Sequence, residues 1–209
     1  MALVKYNNNS ISAVTATAIP SGSLVLIKTL TASSSATLSF VHGTDGVVLD
    51  STYPIYRFEF INCHPATNGV HLEFQGSINT GSGYGVTATT TLFRAYHNEN
   101  GSSSAVTYGN TSHDLAQSTD FIAFSDGNAL GNGNDECISG SLTLYNPSST
   151  VFVKHFTSDF NEYHASDLSI NGFVAGYFNT TSAVDAIQFR MSSGNTDDGK
   201  IKLYGIKDS

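Results

Sequence analysis

An all-β fold, an antiparallel two-sheet β-sandwich of jelly-roll type with an N-terminal arm or hairpin, is what this sequence predicts, and three observations carry the expectation. First, the C-terminal run Lys200-Ile-Lys-Leu-Tyr-Gly-Ile206, launched by Asp197-Asp198-Gly199, is echoed upstream by Ser141-Leu-Thr-Leu-Tyr145 behind Ser139-Gly140. In each, alternate side chains (Ile201/Leu203 and Leu142/Leu144) line one face with the period of two of a half-buried strand. Second, similar runs recur between Gly-, Asn- and Ser-rich turns without the rhythm of a βαβ unit. Third, 209 residues suit one sandwich-sized domain with a sizeable core.

Taken in order, residues 1–45 are expected to form the arm or hairpin and 46–209 the sandwich. Asn7-Asn-Asn-Ser10 leads into small and β-branched positions through Ile19, and Pro20-Ser-Gly22 makes a turn. A strand from Ser23 to Leu30 is broken by Thr31 to Ser35 before a second run from Ala36 to Val41. This region either reaches a neighbouring subunit as a docking arm or supplies the first strands of the sheet. Next, Ile55 to Ile61 alternates Tyr56/Phe58/Phe60 against Arg57/Glu59, and Val70 to Gln75 alternates Val70/Leu72/Phe74 against His71/Glu73/Gln75. The turn chemistry of Asn62 to Gly69 predicts a hairpin with its aromatic face inward and Arg57 and Glu73 facing solvent or a second subunit. Further strands are expected at 86–96, 120–124, 137–145, 150–157, 172–178, 184–191 and 200–206, with one short helical suspect around His113 to Gln117. The Gly/Ser-rich loops at 76–85 and 97–112 belong at the ends of the sandwich, where binding surfaces form.

Composition narrows the function. Charged residues are only 12%, against about 25% in typical domains, while 40% hydrophobic content with 13 Phe and 10 Tyr argues for a packed core under a neutral-polar surface. A net charge of −8 opposes binding to phosphate backbones, so nucleic acid is not an expected partner. The N-terminal residues lack the continuous apolar stretch of a signal peptide, and no run reaches the ~20 apolar residues of a membrane-spanning helix. The expectation is folding in a cytoplasm or export by another route. Asn-x-Ser/Thr triplets at Asn8, Asn100, Asn110 and Asn179 are then incidental to an Asn/Ser/Thr-rich chain. In that compartment Cys63 and Cys137 are expected as free thiols.

No motif spells out a reaction. The seven histidines, at 42, 64, 71, 97, 113, 155 and 164, show no metal-ligand spacing, and no cofactor is expected. Asp126 to Glu136 offers oxygen ligands for calcium at Asp126, Asn128, Asp135 and Glu136, but Leu130 stands where an EF-hand needs an oxygen. A Gly/Asn turn is the preferred reading. A glycosidase needs two facing carboxylates; Glu59 and Glu73 are expected on neighbouring strands of an open face, and Trp is absent. Gly81-Ser-Gly83 and Ser139-Gly-Ser141 are turns rather than nucleophile elbows. The chain is therefore not expected to be an enzyme. Tyr84, Tyr96 and Tyr108, in or near loops, are the candidate ligand-facing residues for sugars, with Tyr163 a further tyrosine of that kind; each has sheet packing as its competing role.

Four segments taken together resemble a known group: Tyr56 to Thr67, Thr89 to His97, Gly140 to Pro147 with Val153 to Phe156, and Met191 to Ile206. They resemble the small β-rich structural proteins of tailed phages of marine bacteria and cyanobacteria, over most of the chain. The resemblance implies a virion component: a capsid decoration or cement protein, or part of an appendage or tail fibre. Its partners would be itself, as a homo-oligomer with a trimer favoured, and other virion proteins. It supplies no catalytic residues. The alternative expectation is a receptor-binding module that recognises host-surface glycan through loops 76–85, 97–112 and 126–136.

Overall fold

A computed structural model describes residues 23–109, 113–125 and 130–208. In chain order its strands are β1 (Leu24–Thr31), β2 (Leu38–Val41), β3 (Ile55–Pro65), β4 (Leu72–Ser77), β5 (Ala88–Asn98), β6 (Ser104–Tyr108), β7 (Ile122–Ala123), β8 (Ile138–Tyr145), β9 (Lys154–His164), β10 (Leu168–Phe178), β11 (Ala186–Met191) and β12 (Thr196–Ile206). They form two antiparallel sheets: eight strands in the order β1-β12-β3-β8-β9-β10-β5-β6, and four in the order β2-β11-β4-β7. The fold is an all-β sandwich, and no helix occurs among the described residues.

The two echoed runs become β8 and β12, which flank β3 on either side. Leu203 and Leu142 both pair with Phe58, so the alternating pattern of all three strands points the same way. Tyr56, Phe58 and Phe60 are at most 1% exposed, as their parity predicts. Across the core, Phe58 meets Phe40 of β2 and Phe189 of β11, each with ring centroids 5.3 Å apart. Phe74 of β4 meets Phe156 of β9 at 5.2 Å. Burial of each such ring stabilises the sandwich by roughly 1.5–3 kcal/mol, and edge-on geometry adds a little more.

Phe160 shows how the large sheet fits its aromatics. Its direct neighbours are Gly140 on β8 and Gly172 on β10, and a Cβ on Gly172 would collide with its ring. The missing side chain is the space the ring occupies. Gly172→Ala is therefore expected to lower stability by about 1–3 kcal/mol through overpacking, seen as a lower urea midpoint at unchanged slope.

Several expectations are corrected. β3 and β4 do not form a hairpin: they lie in opposite sheets, and the segment between them passes from one sheet to the other. An alternating run states which face is buried and leaves its partner open, so two aromatic faces bury each other as well across a core as side by side. Glu59 and Glu73 are accordingly not on neighbouring strands. Nor is the polar side of β4 open. Gln75 is fully buried and donates to the carbonyls of Thr119 and Asp120 at 3.2 and 2.7 Å, while Glu73 pairs with Arg190 at 3.2 Å. The chain around 113–121 covers that face. There, the helical suspect is a turn: Leu115 N donates to Thr90 Oγ1 at 2.8 Å, and Gln117 takes a φ of 51°, incompatible with a helix. Loop 97–112 contains an unanticipated strand, β6, and β9 begins later and runs further than the expected 150–157.

In the first 45 residues, β1 pairs with β12 and β2 with β11, so the two strands do not pair with each other. Leu38 and Phe40 join the same core as Phe58. Residues 1–22 of the arm or hairpin expected over 1–45 lie outside the described residues.

Candidate functional site

The outer face of the large sheet carries the most distinctive chemistry. Along β10 the outward side chains read Phe173, Ala175, Tyr177; along β5 they read Thr89, Thr91, Phe93; along β9, His155, Thr157, Asp159. Register aligns Thr91, Ala175 and Thr157 in one row, Phe93, Phe173 and Asp159 in the next, and Thr89, Tyr177 and His155 in the row on the other side. A row of small side chains thus lies between two rows of larger ones. Phe93 and Phe173 stack at 5.0 Å and 17°, and His155 and Tyr177 are 6.0 Å apart. The hollow at the centre has a volume of about 330 Å³.

Both edges of this sheet expose apolar side chains. On β1, Leu24 and Leu26 are 48% and 53% exposed; on β6, Val106 and Tyr108 are 76% and 63% exposed. Among the described residues, each edge strand has an unpaired backbone side. Edges of this kind invite pairing with another chain.

A second cluster is internal. Glu162 of β9 is 1% exposed and lies in a row with Ile170 and Tyr96. Burial pushes its carboxyl up to about 8, moderated by the Ser125 hydroxyl and the Arg94 charge. The Ser125 hydroxyl is near the carboxyl, yet neither carboxylate oxygen has a well-formed hydrogen bond among the described residues. His71 Nδ1 is 3.4 Å from Ser125 Oγ, and the His71 and His113 rings are 4.6 Å apart. Burial also lowers the pKa of His164, two residues along β9, with the Arg94 charge adding to the effect. Sequence reasoning missed this cluster. Its signal was present: Phe156, Ser158, Phe160 and Glu162 share one parity, which puts a carboxylate on the apolar face. Lys154 begins the same face, fully buried, and donates to the carbonyls of Phe152 and Thr180 at 2.8 and 3.0 Å.

The sequence-derived candidates are dispersed. Asp126 and Asn128 lie outside the described residues. Asp135 and Glu136 border an open groove of about 420 Å³ with His64, Asp197 and Asp198, where the Glu136 carboxylate accepts from Gly133 N. Among the described residues no group of three or more His, Cys, Asp or Glu is placed to hold a metal. Tyr84 walls a separate hollow of about 300 Å³ with Ile78 and Asn79. Tyr96 and Tyr108 point to opposite faces of the sheet: Tyr96 pairs with buried Ile170 and sits beneath the Arg94 guanidinium at 5.8 Å, whereas Tyr108 pairs with exposed Phe93. Tyr163 pairs with Ser169 at the end of β9. Both cysteines are free; burial pushes the Cys63 thiol up to about 12 and raises Cys137 as well. No described helix is long and apolar enough to cross a membrane. Compared with known proteins, the chain matches no family model, no curated protein and no solved structure.

Proposed function

We propose that this chain is a non-enzymatic structural component of a phage virion, acting by assembly with copies of itself and with other virion proteins. The exposed apolar side chains on β1 and β6 are the observation that carries the reading. These are the two opposite edges of one sheet, so pairing β1 of one copy with β6 of the next is heterologous, and a rotation of one third of a turn per copy would close it into the trimer implied by the resemblance. The low-charge Ser/Thr/Asn/Gly composition supports it too, because such surfaces associate without desolvating charge. Residues 1–20, ahead of β1, would serve as the docking arm. Strand order supports the jelly-roll reading: with the hairpins β5–β6 and β9–β10 set aside, β1-β12-β3-β8 faces β2-β11-β4-β7, and consecutive strands alternate between sheets except β4 and β7, which are neighbours in one sheet.

A non-catalytic role is supported by the burial of the Ser125, His71 and Glu162 group. Each is at most 5% exposed, which keeps substrate atoms away from it. The test is solution mass by light scattering. Wild-type protein is expected at three times 22.2 kDa, and a Leu24→Lys/Leu26→Lys variant at 22.2 kDa, because lysines on an edge block strand addition. A wild-type monomer at all concentrations would remove edge pairing as the mode of assembly.

A further inference from the structure

We propose that the trough across β5, β10 and β9, on the outer face of the large sheet, is a binding site for a neutral polysaccharide chain lying perpendicular to the strands. The site is distinct from the sheet edges, and the inference does not rest on the assembly reading. Three features of the trough select this ligand.

Shape comes first. The floor of Thr91, Ala175 and Thr157 continues to Thr143 on β8. Strands are spaced about 4.8 Å apart, comparable to one sugar ring in an extended chain, so successive rings meet equivalent positions on successive strands. A groove along the strands would suit a peptide adding its backbone to an edge. This one runs across them, where no backbone hydrogen bonds are on offer.

The second feature is chemistry. A pyranose presents apolar C–H faces and a belt of hydroxyls. The trough matches both, with the Tyr177 ring lining a threonine-rich floor and the stacked Phe93 and Phe173 rings in the row beyond it. None of the side chains lining the central hollow is Asp, Glu, Lys or Arg, and the one charged side chain in the bounding rows, Asp159 beside Phe173, is acidic. A phosphate or sulfate group would find no lysine or arginine there, and the net charge of −8 disfavours any polyanion.

Third, the hydroxyls are fixed in advance. Thr91 Oγ1 donates to the Tyr108 hydroxyl at 3.2 Å, which donates to Asp114 Oδ2 at 2.5 Å. The Tyr145 hydroxyl lies 3.3 Å from Thr157 Oγ1. Thr89 Oγ1 accepts from Gln117 N and Nε2 at 3.2 and 2.6 Å, and Gln117 Oε1 in turn accepts from Asn179 Nδ2 at 2.6 Å. Thr89 therefore keeps its own proton to offer a ligand. Groups held in this way lose little freedom on binding.

The experiment is calorimetric titration of the full chain with cellohexaose, laminarihexaose, maltohexaose and mannohexaose, and with an alginate hexamer as the charged comparison. At least one neutral hexasaccharide is expected to bind with a Kd of about millimolar or tighter, and the alginate not at all. Tyr177→Ala should weaken that binding about tenfold through loss of one stacking face. Ala175→Phe, which fills the floor and leaves the core untouched, should abolish it; Val151→Ser, on a distant turn, should change nothing. Unfolding midpoints and light-scattering masses of each variant separate a lost site from a lost fold or assembly. Failure of all four neutral sugars to bind, undiminished binding by Ala175→Phe, or binding of the alginate alone would overturn the proposal.

Discussion

Glu162→Gln is expected to stabilise the protein at pH 8 and above, and to flatten the pH dependence of its stability between about pH 4.5 and 8. The direction follows from the buried carboxyl. In the unfolded chain it titrates near its ordinary value of 4.5; in the fold it holds its proton up to about 8, because burial penalises the charged form more than Ser125 and Arg94 relieve it. Below pH 4.5 both states are protonated and the group contributes nothing to pH dependence. Between 4.5 and 8 the unfolded chain has released a proton that the fold retains, so stability falls as pH rises, by about 1.4 kcal/mol per unit where this group dominates. Above 8 both states are ionised and the loss levels off.

Glutamine keeps the shape of the neutral acid and removes the titration. The groups that face Glu162 decide whether the expectation holds: Ser125 beside β7, Arg94 across β10, His164 on β9, and His71 with its neighbour His113 behind Ser125. Urea unfolding of both proteins at pH 5, 7 and 8.5 supplies the check. Subtraction of the two curves cancels titrations elsewhere, such as Glu73, whose carboxyl burial raises despite Arg190. Should Gln destabilise by the same amount at every pH, Glu162 would be an ionised partner of Arg94 and the neutral-acid account would be wrong.

What the sequence disclosed divides along one physical line. Period-2 alternation reports which side of a strand is buried, and it placed Tyr56, Phe58, Phe60, Leu142, Leu203 and Phe74 on the inner faces, where all are at most 1% exposed. It does not report which strand lies alongside. The joining of β3 to β4 as a hairpin failed for that reason, as did the expectation that Glu73 faces solvent or a second subunit, since the covering segment 113–121 has no periodicity to announce it. β6 escaped notice because Ser104-Ala-Val-Thr-Tyr108 is short, polar on one side and set among glycines and serines. The trough was hidden by the same logic. Its rows cross β5 as well as the consecutive strands β8, β9 and β10, and only register brings Ala175, Thr91 and Thr157 together. Tyr96 and Tyr108 show the converse error: both lie near one turn, yet register sends them to opposite faces.

Phe74→Ala is expected to produce the largest loss of stability of any single truncation in the core, about 3–5 kcal/mol. Its ring lies where the two sheets and the end of β7 converge, with centroids 5.0 Å from Phe124, 5.2 Å from Phe156, 6.3 Å from Phe178 and 6.3 Å from Phe189. Truncation removes the transfer free energy of one buried ring and leaves a cavity walled by four others. Their backbones are held in hydrogen-bonded ladders or a tight turn, which limits collapse into the space. Phe152→Ala, at a solvent-exposed ring, should by contrast stay within about 0.5 kcal/mol of wild type. A double-mutant cycle of Phe74 with Phe156 tests the sandwich directly, because these residues sit on opposite sheets. Coupling of about 0.5–1.5 kcal/mol is expected for an edge-on pair. A coupling of zero, together with a small effect of Phe74→Ala alone, would mean that β4 does not pack against β9 and that the two sheets do not share one core.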